Sequence, residues 1–199
     1  MNWKNTSSRY GSLPIAMHWL MLGLLIAVYA VINLHDFAPK GSEIRAALKT
    51  WHFMLGLSVF ALVAARLAIR LLSGPAPRIE PENPLWQRRL AAIVHLALYV
   101  FMIGMPLLGW FAVSAKGDPV LFFGAQLPAL IGPDKGLYDS LKEIHEVIGT
   151  IGYYLIGLHA AAALFHHYVL RDNTMLHMLP GLRIPRQQPQ QPQQRRTGA

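Results

Sequence analysis

The chain of 199 residues contains no cysteine. This absence excludes disulfide bonds, iron–sulfur clusters held by thiolates, and covalent attachment of haem through a Cys-x-x-Cys-His motif. Any metal or haem in the protein must therefore be held through histidine, of which the chain has nine.

Charged residues are also scarce, at 14% of the chain, whereas hydrophobic residues make up 53%. The charges are clustered, and four long stretches carry none: 10–35, 50–65, 90–115 and 147–170. A helix needs about 20 predominantly apolar residues to span a bilayer, and the second stretch reaches this length only by including Arg66 and Arg70. We therefore predict an all-α integral membrane four-helix bundle with spans at about 13–34, 51–72, 90–114 and 145–170.

The chain is expected to consist of one folded domain and a disordered tail. Residues 1–179 should form one transmembrane domain. The segment 180–199 is rich in Pro and Gln and lacks core-forming residues, so we expect it to be a disordered cytoplasmic tail.

The distribution of Lys and Arg predicts that both termini are cytoplasmic. Of the 18 Lys and Arg residues, twelve lie in the N-terminal segment, the second connection with its flanks, and the tail, and six lie in the first and third connections. Positive residues accumulate on the cytoplasmic side of membrane proteins. The net charge of +8 therefore reflects the membrane topology and favours binding of anionic lipid. Nucleic acid is a poor alternative partner.

Four histidines lie in these spans as two pairs, each pair at its own depth in the membrane. His145 and His159 are fourteen residues apart on one helix, a rise of about 21 Å with only about 40° of rotation, so both imidazoles point the same way. His52 begins the second span at the end where His145 begins the fourth, and His18 lies about one turn into the first span, near the depth of His159. A polar side chain is costly in hydrocarbon without a partner, and bis-histidine ligation of two haems satisfies all four.

Glycines follow two of these histidines on the same helix faces. Gly149 and Gly152 lie four and seven residues beyond His145, and Gly56 lies four beyond His52. Their lack of side chains suits a flat macrocycle. The alternative is that they only allow close helix packing, as small residues commonly do in membranes.

Three further residues are candidates for a quinone pocket. Arg66 lies fourteen residues after His52, hence on the same face and near the level of the inner haem. It could pair with a haem propionate or a quinone oxygen, or extend to the cytoplasmic surface. His95 begins the third span, and His166 lies seven residues past His159 on its face. The alternative is freely hydrated interfacial histidines, the interpretation that we prefer for His35, His167 and His177.

Basic residues also lie in the connections on the opposite side of the membrane. They could draw a small anion such as superoxide toward the outer haem, although acidic residues are interleaved among them and a solvated mixed surface is the alternative. The six cations are Lys40, Arg45, Lys49, Lys116, Lys135 and Lys142.

Three stretches carry a family resemblance: MHWL at 17–20, WHFMLGL at 51–57 and, most specifically, DSLKEIHEVIGTIGYYLIGLHAAAALFHHYVLRDNTML at 139–176. They resemble the bacterial cytochrome b561 family over about residues 9–180. The resemblance implies a four-helix protein of the bacterial cytoplasmic (inner) membrane with two haem b groups. It matches His18 and His159 to the ligands of the cytoplasmic-side haem, and His52 and His145 to those of the periplasmic-side haem.

The chain looks most similar to enterobacterial members of this family that act as superoxide oxidases. That similarity implies electron transfer from superoxide to ubiquinone. One alternative is a cytochrome b subunit that accepts electrons from a hydrogenase- or formate-dehydrogenase-like partner. Another is a metal-ion carrier that uses the four histidines.

Overall fold

The computed structural model describes residues 4–6 and 9–180. Four long helices and one short hairpin follow in the order α1 (Ser12–Phe37), α2 (Glu43–Leu72), α3 (Leu85–Lys116), β1 (Val120–Phe122), β2 (Ala125–Leu127) and α4 (Lys135–Phe165). A π-helical turn, His166–Leu170, continues α4, and a 3₁₀ turn, Leu176–Met178, follows it. Beyond Pro180, the predicted tail lies outside the described residues.

Four helices are long and apolar enough to cross a membrane, as predicted. Two of them begin well before the predicted spans, α2 at Glu43 and α4 at Lys135. Ser42 and Asp134 cap these helices, since each side chain accepts a hydrogen bond from the backbone N–H three residues on, at 3.2 and 2.9 Å. The added turns are polar, so a prediction based on apolar length could not include them.

The all-α prediction describes the spanning part of the chain and misses one hairpin. Strands β1 and β2 pair antiparallel, with Val120 opposite Leu127. The turn between them contains Phe123 and Gly124, both with positive φ, at 46° and 88°. Strands of three residues are too short to show the alternating pattern that identifies a strand in a sequence.

Consecutive helices pack against one another, α1 on α2, α2 on α3, and α3 on α4. Their shared core consists of buried apolar side chains from the first three helices: Met21, Leu25, Val59, Val63 and Met102. Many large apolar side chains on the outer faces stay exposed, among them Leu20, Ile26, Ile93, Leu96, Tyr154 and Leu158. Helices that are apolar all round are typical of membrane spans.

The two ends of the bundle differ in what they carry. The hairpin end contains the C-terminus of α1, the N-termini of α2 and α4, and the β-hairpin. The terminal end contains the segment before α1, the connection 73–84, and the segment after α4. The candidate site residues divide between these two ends.

Candidate functional site

The four predicted ligand histidines meet in two pairs, each with one ring from α4. The ring centroids of His52 and His145 are 6.1 Å apart at the hairpin end, and those of His18 and His159 are 6.2 Å apart toward the terminal end. Two metal–nitrogen bonds of about 2.0 Å and two imidazole radii of about 1.1 Å, placed in line, extend about 6.2 Å. Both separations therefore fit one iron held between two imidazoles.

A cavity of about 500 Å³ opens beside the pair at the hairpin end. This volume lies within the range of small-molecule and cofactor pockets. Gly56, Gly109 and Gly149, one from each of three helices, line it. A Cβ added at Gly109 would lie 3.3 Å from Cε1 of His145, so this glycine lets the imidazole lie against α3.

The ring nitrogens at the hairpin end suit metal ligation. Nδ1–H of His52 donates a long hydrogen bond of 3.4 Å to the Val28 carbonyl, which leaves the Nε2 lone pair for a metal. Nδ1 of His145 is buried without a hydrogen-bond partner among residues 4–6 and 9–180. Both His52 and His145 line the cavity, so the pair fits a haem that would be held there through the two Nε2 atoms.

Gly152 allows close packing and does not open space for a macrocycle. It lies seven residues from both His145 and His159, and a Cβ added there would collide with the Tyr29 hydroxyl and the Phe101 ring. The Tyr29 hydroxyl also donates to the Gly149 carbonyl at 2.7 Å. Aromatic side chains therefore separate the two histidine pairs.

Two further groups adjoin the pair toward the terminal end. The His95 ring centroid lies 5.3 Å from that of His159, and Nδ1–H of His95 donates to the Ala91 carbonyl at 2.6 Å, leaving its Nε2 available as an acceptor. Nη2 of Arg66 donates to Nδ1 of His18 at 3.2 Å. The structure thus brings together four of the predicted site residues.

The bond from Arg66 has a consequence for His18. Because Nδ1 accepts from the guanidinium, a neutral imidazole carries its proton on Nε2. A haem held through Nε2 of His18 would therefore require this bond to open. The Arg66 guanidinium would then be available to a carboxylate or carbonyl oxygen, which is the pairing predicted from the sequence.

His166, the third quinone candidate, has Asp172 as its polar partner. Nδ1 of His166 lies 2.5 Å from Oδ2 of Asp172, which is buried at 3% exposure. Asp172 also accepts from the Thr174 backbone N–H at 2.9 Å and from Nδ2 of Asn83 at 3.3 Å. These bonds fasten the segment after α4 to the connection between α2 and α3. The only sequence signal was the Asp-Asn-Thr run after a helix, which favours local side-chain bonds to the backbone.

His177 is buried at 2% exposure, so its prediction as a freely hydrated residue is wrong. Its ring packs edge-on against Tyr10, at 6.4 Å between centroids. Nε1 of Trp19 donates to the neighbouring Met178 carbonyl at 2.7 Å. Its burial and its contact with Tyr10 place His177 in the packing between the N-terminal and C-terminal segments, and this burial lowers the pKa of the imidazole.

We expect Asp172→Asn to lower the thermal midpoint near neutral pH and to have little effect in strong acid. Burial acts to raise the pKa of Asp172, but hydrogen bonds from His166, Thr174 and Asn83 outweigh it and hold the pKa below the ordinary 3.8. A depressed pKa contributes stability above pH 3.8 that is lost as the pH falls through the folded-state value. Bonds to a charged group contribute about 1.5–3 kcal/mol. Thermal unfolding of the unaltered protein and of Asp172→Asn, measured from acidic to neutral pH, tests this prediction. A difference between the two midpoints that does not change with pH would contradict it.

Three of the six predicted anion-attracting cations line the cavity at the hairpin end: Lys49, Lys116 and Lys142. Lys116 pairs with Asp118, and Nζ of Lys142 lies 2.7 Å from Glu146. Outside the cavity, Arg45 donates to backbone carbonyls and Lys135 pairs with Asp139. The rim of the cavity is therefore mixed in charge.

The described part of the chain holds no group of three or more His, Cys, Asp or Glu side chains placed to bind a metal ion. A cation-transport path would need such oxygen and nitrogen clusters along its length. The facing histidine pairs agree better with haem ligation.

Four apolar helices with facing histidines are typical of membrane cytochromes that bind haem b and carry electrons. A family model described as prokaryotic cytochrome b561 matches residues 9–181, and the chain belongs to this family. The resemblance found in the sequence is confirmed. The chain is therefore a bacterial membrane protein of electron transport.

Named relatives cover nearly the whole chain. Cytochrome b561 homolog 1 of Escherichia coli (strain K12) is 35% identical over 173 residues, which are 87% of this chain and 98% of the relative. Probable superoxide oxidase CybB of Yersinia pestis is 36% identical over 172 residues, 86% and 96% of the two chains. Cytochrome b562 of Cereibacter sphaeroides is 27% identical over 175 residues, 85% and 94% of the two chains.

Proposed function

We propose that the protein is a di-haem cytochrome b that oxidises superoxide and reduces ubiquinone. Two superoxide anions each lose one electron and leave as dioxygen, and ubiquinone takes up both electrons with two protons to form ubiquinol. The observation that carries the proposal is the two imidazole pairs, at 6.1 and 6.2 Å, that share α4. The similarity to a probable superoxide oxidase supports this choice of donor.

His52 and His145 would hold one haem, and His18 and His159 the other. When bound, haem b supplies reversible one-electron transfer. A haem held by two imidazoles would have no position open for oxygen, so each pair favours electron transfer over oxygen binding. Small and aromatic residues shape the surroundings: glycines line the cavity at the hairpin end, and Tyr29 and Phe101 close the space between the pairs.

The hairpin end would face the periplasm and the terminal end the cytoplasm. The support is the excess of Lys and Arg in the segments of the terminal end, since such residues mark the cytoplasmic side. In this orientation, both termini would lie on the inner side of the bacterial cytoplasmic membrane. The anion would then arrive at the hairpin end.

Lysines around the cavity would raise the local concentration of superoxide. Lys49, Lys116 and Lys142 line it, and nearby positive charge attracts a small anion. Asp118 and Glu146 pair with two of these lysines and offset part of the attraction. Lys49, whose Nζ lies 5.5 Å over the Phe53 ring, is the lysine that we expect to contribute most.

Ubiquinone would bind toward the terminal end, near Arg66 and His95. A guanidinium donates hydrogen bonds to a quinone oxygen, and an imidazole can pass on the proton that quinone reduction needs. Both groups lie beside the pair formed by His18 and His159. The bond between His166 and Asp172 would hold the adjoining C-terminal segment in place, so we assign His166 a supporting part in this pocket.

Stopped-flow spectroscopy on the detergent-purified protein tests the function. We expect superoxide to reduce the haems and a soluble ubiquinone analogue to reoxidise them, with no other protein present. The haem absorbance reports both steps. Adding superoxide dismutase before the donor should abolish the reduction. Haem that superoxide leaves oxidised would contradict the proposed donor and favour a cytochrome subunit served by a hydrogenase- or formate-dehydrogenase-like partner.

A further inference from the structure

The connection between α3 and α4 is unusually apolar for a segment outside the spans. Residues 119–133 lie between Asp118 and Asp134 and include no charged side chain. A connection that faces water normally carries polar and charged residues. This one contains the β-hairpin, followed by Pro, Leu and Ile residues.

The hairpin presents two different apolar faces. Val120 is buried at 5% exposure and packs with Leu57 of α2 and Val113 of α3, so the inner face belongs to the bundle. On the outer face, Leu121 is 42% exposed and Phe123 is 60% exposed. Exposed apolar side chains that adjoin one another mark an interaction surface.

The turn residue Phe123 has a backbone conformation that is unfavourable for a residue with a side chain. Its φ of 46° lies in the left-handed region, which costs a residue with a Cβ about 1–2 kcal/mol. Two-residue turns with both φ angles positive favour Asn-Gly, and this turn has Phe-Gly. An aromatic ring at such a position needs a favourable contact to offset the backbone strain.

The outer face of the hairpin is continuous with an exposed apolar surface of α2 at Trp51. The Phe123 ring centroid lies 6.4 Å from that of Trp51, which is itself 48% exposed. Trp51 stands at the start of the apolar part of α2, after the polar turn that contains Lys49. Tryptophan at such a boundary is typical of the membrane–water interface.

We propose that the outer face of this hairpin inserts into the interfacial region of the lipid bilayer. Leu121 and Phe123 reach the acyl chains beside Trp51, and the charged residues at both ends of the connection stay among the headgroups. One face of the hairpin is then held by lipid while the other, through Val120, forms part of the cavity wall. The bilayer thus helps to position the wall of the hairpin-end cavity.

Site-directed spin labelling tests the proposal directly, because the chain has no cysteine of its own. Phe123→Cys and Leu121→Cys are labelled separately in proteoliposomes of phosphatidylethanolamine and phosphatidylglycerol. Lys135→Cys is the matched control, since this side chain is 89% exposed at the start of α4. Haem content shows whether each variant is folded.

We expect relaxation of the labels at 121 and 123 to be enhanced by oxygen, which partitions into lipid, and little by a water-soluble nickel chelate. The label at 135 should show the reverse. Equal access of the chelate to all three labels would overturn the proposal. Spin–spin broadening at 121 and 123 that grows with the protein-to-lipid ratio would also overturn it, because a second copy of the chain would then cover this face.

Discussion

The variant His145→Ala is expected to lose the haem at the hairpin end and keep the other, whereas His159→Ala should do the opposite. Each residue supplies one imidazole to one pair, and fourteen residues of helix, about 21 Å, separate His145 from His159. Because a haem that keeps only one of its two histidines would be held much less firmly, the haem content should fall by one group per chain. Pyridine haemochromogen assays and reduced-minus-oxidised spectra measure both the amount and the identity of the haem that remains.

The partner histidines provide an internal check on this result. His52→Ala should remove the same spectral component as His145→Ala, and His18→Ala the same one as His159→Ala. His167→Ala is a suitable control, since this ring packs with Tyr168 and belongs to neither pair. If His52→Ala and His145→Ala abolished different components, the assignment of the two pairs would be wrong.

Replacing Gly152 by alanine should have the second largest effect, although it adds a single methyl group. The new Cβ would meet the Tyr29 hydroxyl and the Phe101 ring, and Tyr29 is held in place by its 2.7 Å bond to the Gly149 carbonyl. Overpacking of this kind costs about 1–3 kcal/mol. A lower thermal midpoint in detergent, with partial loss of haem from the adjacent cavity, is the expected outcome.

Gly157→Ala is the matched control for that experiment. It lies on the same helix, and a Cβ added there has no heavy atom within 4 Å. Alanine is the better helix former by about 1 kcal/mol, so this variant should be unchanged or slightly more stable. Equal behaviour of Gly152→Ala and Gly157→Ala would contradict the close packing of Tyr29 and Phe101 against Gly152.

The sequence predicted the spanning helices because apolar length and charge scarcity are strong local signals. Helical spacing also placed His145 and His159 on one face, and it placed Arg66, fourteen residues after His52, near the level of His18, where the structure has it. These inferences needed only the periodicity of single helices and the need of each intramembrane polar group for a partner.

Contacts between segments distant in the sequence escaped prediction. The bond of His166 to Asp172 depends on how the chain turns after α4, where a π-helical turn and a positive φ of 55° at Arg171 redirect the backbone. The role of Gly152 depends on side chains of α1 and α3 that meet it from other helices. Neither periodicity nor composition encodes which neighbour faces a given position.

The haem-to-chain ratio of the purified, unaltered protein, measured together with its low-temperature EPR spectrum, tests the central claim most directly. Two facing imidazole pairs predict two haem b groups per chain, both low-spin, because two histidines would hold each haem. A ratio of one, or a spectrum dominated by high-spin iron, would contradict the presence of two bis-histidine sites that share α4.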